Sequence, residues 1–389
     1  MGRVSPYRID YEAVSPALRA RRRVRRLEDL VPGACHRHFA LGRAALLWLC
    51  RSMGWGAGDR VLLPSFACYS VVTPFTAAGL IPVFYKVHDD LSVDVDELAD
   101  RARSGVRCGL VIHYFGWLQA PDVRAWLAAE HGPVVLIEDL SHALFTALTG
   151  DGPVAAAHVA LTSYRKLMPC PDGSTLTFRD GLPASISEAA VGSRYRGHGI
   201  VRSLAMRTAA AAEGSASAAL VSPVLAATER MLKRWRTGTP LGVGPISTLA
   251  REVVERFDID AAVVARRRNA KHLTARLREM PGCVPLMPTL DDRTVPMVLP
   301  VRVAARPTIE RVLRRHGVLA QHLWPLPPAV QPAAFPLAAR LADELLCLPV
   351  DERYSVDDMD VIANTMGKVT EPGGVIRTPA DHVGRVATN

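Results

Sequence analysis

Aromatic residues make up only 6% of this 389-residue chain. Modules that hold single-stranded nucleic acid stack bases on rings set among basic residues. The arginine clusters here (Arg21 to Arg23 with Arg25 and Arg26, Arg266 to Arg268, Arg314 with Arg315) have no such interleaved rings. Zinc-finger spacing and RNA-binding signatures are absent as well, so no nucleic-acid partner is expected. The seven cysteines, at 35, 50, 68, 108, 170, 283 and 347, form no Cys-x-x-Cys pair and are odd in number. That argues against a structural zinc and for reduced thiols in a cytoplasmic protein. No apolar run reaches the roughly 18 residues a spanning helix needs, so no membrane span is expected. Met1 to Asp10 is polar and charged, with no secretory character. Neither an internal repeat nor a Gly-rich nucleotide loop stands out.

What is present is apolar mass: 49% of the chain is hydrophobic, enough to bury one large domain and a smaller one. The formal charge of +9 reads as a solvated basic face or as attraction to phosphorylated substrates. Val61-Leu62-Leu63, Val83 to Val87, Cys108 to His113 and Val134 to Ile137 read as short strands. Helical stretches begin between them at Ala44, Phe66 and Asp94, and such alternation implies an α/β fold with a mostly parallel sheet.

The chemistry gathers around Leu161 to Ser174. Lys166 stands three residues after Ser163 and just before a Pro-rich turn that ends in Asp172-Gly173. A lysine amine whose pKa is lowered by burial attacks aldehydes, which is Schiff-base chemistry. The plain alternative is a solvated surface lysine. Upstream, the run Val134 to Ile137 ends in Glu138-Asp139-Leu140-Ser141-His142, and carboxylates at the end of a buried parallel strand lie where α/β folds place ligands. An aspartate there either pairs with a protonated pyridine nitrogen or caps the next helix. The Gly42-Arg43-Ala44 turn opens a helix, which makes it either an anion site or an ordinary junction.

Together these stretches resemble the fold-type-I enzymes that use pyridoxal 5'-phosphate (PLP), and among them the DegT/StrS-type sugar aminotransferases. The resemblance rests on strand-Glu-Asp-x-x-His-Ala, then Ser-x-x-Lys-x-x-Pro-x-x-Asp-Gly. It extends over about residues 35 to 368 through Gly58 to Ser65, Gly79 to Phe84, His316-Gly317-Val318 and Leu348-Pro349-Val350. It implies a large domain with a seven-stranded sheet and a small C-terminal α/β domain. Lys166 is then the Schiff-base lysine and proton carrier, and Asp139 the pyridinium partner. His142 lies by the ring, while Ser163 and the Gly42-Arg43-Ala44 turn hold the phosphate. Where the family places a ring-stacking residue this chain has Cys68, and Tyr69 beside it is taken as the stacker. His322 and Trp324 are taken to face the substrate.

The same kinship implies a homodimer with shared sites, an amino donor such as glutamate, and a keto sugar, nucleotide-sugar or cyclitol as acceptor. Other PLP reactions in natural-product biosynthesis, a lyase or dehydratase among them, and a non-catalytic binding relative remain alternatives. The expected domains are an N-terminal arm over 1–32, a large domain over 33–250 with a helical insertion at about 180–242, a small domain over 251–369, and a tail over 370–389. Within the small domain the pattern predicts one long helix from Arg251 to Leu277, a strand from Val318 to Leu323 and a helix from Leu337 to Cys347.

Overall fold

The computed structural model describes residues 26–150, 153–170, 172–180, 243–287 and 290–370. The expected arm before residue 26, insertion at 181–242 and tail after 370 lie outside the described residues.

Seven strands form the main sheet: β1 (Cys35–Phe39), β2 (Arg60–Pro64), β3 (Ile81–Tyr85), β4 (Val106–Ile112), β5 (Val135–Asp139), β6 (Val159–Ser163) and β7 (Ser174–Phe178). Their order is β1-β7-β6-β5-β4-β2-β3, with the five from β6 to β3 mutually parallel. β7 runs antiparallel to β6, and β1 pairs antiparallel with β7 at the edge. Central strands such as β5 and β6 are buried almost throughout, as strands covered on both faces must be.

The covering helices are α1 (Gly42–Ser52), α2 (Tyr69–Ala78), α3 (Val95–Ala102), α4 (Pro121–Ala128) and α5 (Leu144–Thr149). Local signals set their limits. Asp94 caps α3 by accepting from the N–H groups of Asp96 and Glu97. Gly79, at φ +96°, ends α2 in the left-handed conformation that glycine adopts without strain.

Beyond the first sheet come α6 (Thr248–Arg256) and α7 (Ile259–Leu277), followed by β8 (Cys283–Pro285), β9 (Leu299–Val303), α8 (Arg306–Arg315), α9 (Pro336–Glu344), β10 (Leu345–Leu348) and α10 (Val356–Thr370). The last three strands make a small antiparallel sheet in the order β10-β9-β8. Two apolar cores result. The first lies around the large sheet and takes in Ile259, Ala262 and Val263 of α7; the second takes in Ala270, Leu273 and Leu277 of the same helix, with Leu299, Val301 and Leu346.

Three local expectations need correction. The long helix from Arg251 is two helices, broken at Phe257, because Asp258 turns back to cap α7 by accepting from Ala261 N at 3.1 Å. The segment 318–323 forms no strand, only an isolated bridge between Gln321 and Cys347. The helix predicted as far as Cys347 stops at Glu344, and Leu345 to Leu348 extend as β10 because β9 offers a complete antiparallel partner. Packing against a neighbour outweighed helix propensity there.

Candidate active site

Strand ends carry the site. β5 delivers Asp139 and β6 delivers Ser163, at neighbouring C-terminal ends of the parallel sheet. After Ser163 the chain enters a short 3-10 turn, Tyr164–Lys166, which local bonds hold in place. Tyr164 N–H donates to Gly173 O at 3.0 Å, Met168 N–H to Tyr164 O at 2.8 Å, and Gly173 N–H to Ala40 O at 2.8 Å. The far end of the turn is pinned by Ser247 N–H, which donates to Asp172 Oδ1 at 3.0 Å. Lys166 is thus presented on a fixed backbone, facing a cavity of about 670 Å³.

Lys166 Nζ lies 3.1 Å from His142 Nε2. Burial pushes the lysine below its ordinary range, although the nearby Asp139 and Cys68 pull it back. Burial also pushes the imidazole well below its ordinary value, and the charge of Lys166 adds to that. The hydrogen-bond geometry agrees. Phe115 N–H can only donate, and it points at His142 Nδ1 from 3.4 Å. With Nδ1 accepting from Phe115 N–H, His142 presents Nε2 to the Lys166 amine.

The imidazole is also held by its faces. It stacks on Phe115, with centroids 5.4 Å apart, and on Trp324, with centroids 5.3 Å apart. Trp324 itself packs on the buried Phe66, so the segment after Gln321 helps to wall the cavity beside the sheet.

Asp139 is buried, and its Oδ1 accepts from Ser141 N–H at 2.8 Å. Among the described residues no cation lies within ion-pair distance of it. A buried carboxylate without a cation is costly, so the site is short of one positive group there. A pyridinium nitrogen supplies such a group, and a lysine whose amine burial pushes towards the unprotonated form supplies a nucleophile for an aldehyde. The residues present therefore fit PLP. Glu138, its neighbour, has a different role: it accepts from His113 Nε2 at 2.7 Å and from Ala157 N–H at 3.2 Å, and so fastens the 153–158 loop to β5.

The sequence-predicted residues divide into two groups. Lys166, His142 and Trp324 meet at the cavity, and Cys68 joins them. Asp139 and Ser163 sit at the adjoining strand ends. Gly42 opens α1 against the same strands, where a Cβ would lie 3.5 Å from Ser174 Oγ and 3.7 Å from Leu161 Cδ1. Gly42, Arg43 and Ala44 do not line the cavity itself.

Two expectations are corrected. Tyr69 is 58% exposed, because as the first residue of α2 it projects to solvent, and the cavity receives Cys68 and Ser70 instead. Ser70 Oγ donates to Cys68 Sγ at 3.0 Å. His322 turns away from the cavity, with its Nε2 at 2.7 Å from Ala342 O in α9. Gln321, Leu323 and Trp324 line the cavity and His322 does not.

Phe115 and Arg266 were not singled out by the sequence. Phe115 follows a strand end, as ligand residues do, but nothing in its type marks it. Arg266 was read with Arg267 and Arg268 as part of a solvated face, yet it is 3% exposed. A signal was there: Ile259, Ala262, Val263, Arg266, Asn269, Ala270 and Leu273 recur at helical spacing, which places Arg266 on the buried stripe of α7.

A lysine and a carboxylate at the C-terminal edge of a mostly parallel seven-stranded sheet, followed by a small α/β unit, define the fold-type-I class of PLP-dependent transferases. The chain belongs to the DegT/DnrJ/EryC1/StrS aminotransferase family, which matches over residues 34–236. Members of this family are PLP-dependent.

Two curated relatives are similar in sequence. GDP-perosamine synthase of Vibrio cholerae is 30% identical over 112 residues, 28% of this chain and 30% of that protein. L-glutamine:2-deoxy-scyllo-inosose aminotransferase of Streptomyces paromomycinus is 26% identical over 157 residues, 40% of this chain and 35% of that protein. The chain thus spans about a third of the length of the curated relatives it matches. Among solved structures, S. venezuelae DesV in complex with a ketimine intermediate superposes with a TM-score of 0.62 at 18% identity, over 93% of this chain and 94% of that one. That likeness bears on the fold.

Proposed function

We propose that this chain is a PLP-dependent aminotransferase that moves an amino group, from glutamate, onto a keto carbon of a sugar, nucleotide-linked sugar or cyclitol. The observation that carries the reading is Lys166, its amine pushed below its ordinary range and 3.1 Å from His142 Nε2, beside a buried Asp139 at the neighbouring strand end, in a chain of this family. When bound, PLP supplies an aldehyde for the amine and an electron sink for the carbon that loses a proton.

The chain's own residues do the rest. Lys166 would hold the cofactor and would carry the proton to and from the substrate carbon. Asp139 would pair, through its buried carboxylate, with a protonated ring nitrogen. His142, packed in a three-ring cluster with Phe115 and Trp324, places Nε2 beside the lysine amine. Ser163 and the start of α1 at Gly42, Arg43 and Ala44 would hold the phosphate, favoured by the helix dipole. Trp324 closes the substrate side of the cavity.

The domain limits given above, a homodimer with shared sites and a cytoplasmic location belong to the same proposal. Among the described residues no helix is long and apolar enough to cross a membrane. The printed activities of the two curated relatives support a sugar-like acceptor, and one of them names glutamine as donor.

The test is an absorbance spectrum of the protein loaded with PLP, before and after glutamate and then glutamine. A visible band that shifts to the amine form with either donor is the expected result. A band indifferent to both rejects transamination from these donors, and absence of any band rejects the cofactor assignment.

A further inference from the structure

Arg266 occupies the point on α7 where one core gives way to the other. On one side Ala262 and Val263 pack into the large core; on the other Ala270 and Leu273 pack into the small one. A buried guanidinium is costly unless its fork of donors is satisfied. Here the fork is used on three separate pieces of chain. Nε donates to Glu352 Oε2 at 2.7 Å, Nη1 to Met297 O at 3.3 Å and Pro296 O at 3.5 Å, and Nη2 to Leu167 O at 3.1 Å. The guanidinium also lies 5.4 Å from the centroid of the Phe145 ring.

Those acceptors are not scattered. Leu167 O is the carbonyl of the residue that follows Lys166. Pro296 and Met297 lead into β9, and Met297 N–H donates to Phe115 O at 2.7 Å beside the ring that stacks on His142. Glu352 lies in the turn after β10 and lines the same cavity as Lys166. One side chain therefore touches the lysine turn, the strand entry that borders His142, and the loop of the small sheet that faces the cavity.

We propose that Arg266 is a positioning residue for Lys166: it holds the lysine turn by its main-chain carbonyl and, through Glu352, ties that turn to the small antiparallel sheet. The proposal rests on Lys166 being the reactive amine. Its physical content is that the lysine's enclosure is set from outside its own turn, by a residue that never touches the amine. Lysine at position 266 cannot replace it, because one ammonium does not span acceptors on both sides that a planar fork reaches together. The neighbouring Arg267 gives a control: it bonds Thr294 O at 3.1 Å and Thr149 Oγ1 at 3.1 Å, away from the cavity.

The experiment measures the pH dependence of Lys166 acetylation by acetic anhydride in cofactor-free protein, read by mass spectrometry. Wild type, Arg266→Lys, Glu352→Gln and Arg267→Gln are compared, with melting temperatures recorded in parallel. Release of the turn admits water to the amine, so the labelling midpoint should rise by about half a unit or more in Arg266→Lys. It should rise by a smaller amount in Glu352→Gln and stay unchanged in Arg267→Gln. An unmoved midpoint in Arg266→Lys alongside a lowered melting temperature overturns the proposal, since a merely structural arginine gives that result. Should Arg266→Lys fail to fold, Glu352→Gln decides: Glu352 is itself part-exposed, and a midpoint equal to wild type rejects the coupling. No cofactor enters this readout, so a protein that shows no PLP band but a shifted midpoint refutes the proposed activity and leaves the positioning intact.

Discussion

Lys166 and Asp139 carry different tasks: burial pushes the lysine amine below its ordinary range, while the carboxylate accepts from Ser141 N–H at the end of β5. Lys166→Ala removes both the nucleophile and the proton carrier. Loss of the PLP band and a drop in turnover of about 10³-fold are expected, checked by spectrum and steady-state rate. Asp139→Asn keeps the shape and removes the charge. Loss of one partner of a buried charge pair costs about 3 kcal/mol, on the order of a hundredfold in turnover; cofactor should still bind, which separates this variant from the first. The sequence singled out both because residue type and position after a buried strand pointed the same way, and the structure brings them to adjoining strand ends. Tyr69 and His322 were singled out too, and neither lines the cavity. Their types suited a site, but side-chain direction along a helix start and an extended segment is decided by neighbours the pattern does not name.

Connections between elements hinge on a few tight contacts. Gly116, just past β4, has φ +116°, and a Cβ there would sit 2.7 Å from Pro296 Cα. Thr146 of α5 fastens the same crossing, donating to Gly116 O and accepting from Val295 N–H at 2.9 Å. Gly116→Ala meets backbone on one side and a strained dihedral on the other, so a loss of about 2–4 kcal/mol is expected in denaturant unfolding. At the opposite edge Glu28 bonds His38 Nε2 at 2.9 Å and Arg251 Nη1 at 3.0 Å, joining the chain before β1 to α6. Burial alone would raise its pKa, but its backbone bond and the Arg251 and His38 contacts prevail and lower it from 4.5 to about 2.

The stabilisation from Glu28 is therefore present above about pH 4.5 and is lost as pH falls from there towards 2. Glu28→Gln should lower stability at neutral pH and flatten that acid slope, as thermal melts across the range will show. The parallel strands were readable from their β-branched apolar runs. β10 and the break at Phe257 were not, since one depends on pairing with β9 and the other on a cap that outcompetes helix continuation.

Over the whole molecule, two cores share one helix. Leu273, fully buried in the smaller core, should cost about 2–4 kcal/mol when changed to Ala, with the loss seen in the denaturant midpoint. Composition gave the total apolar mass but not its division, because nothing in an apolar residue's identity says which of two cores receives it. The edge strand carries a further consequence. His36 Nδ1 lies 3.2 Å from Thr177 Oγ1, a partner 141 residues away in the chain. At about 5–20 residues per second of synthesis, roughly 7–30 seconds separate the emergence of the two. During that interval the residues of β1 have been made and their pairing partner β7 has not, so the edge of the large sheet closes late in synthesis.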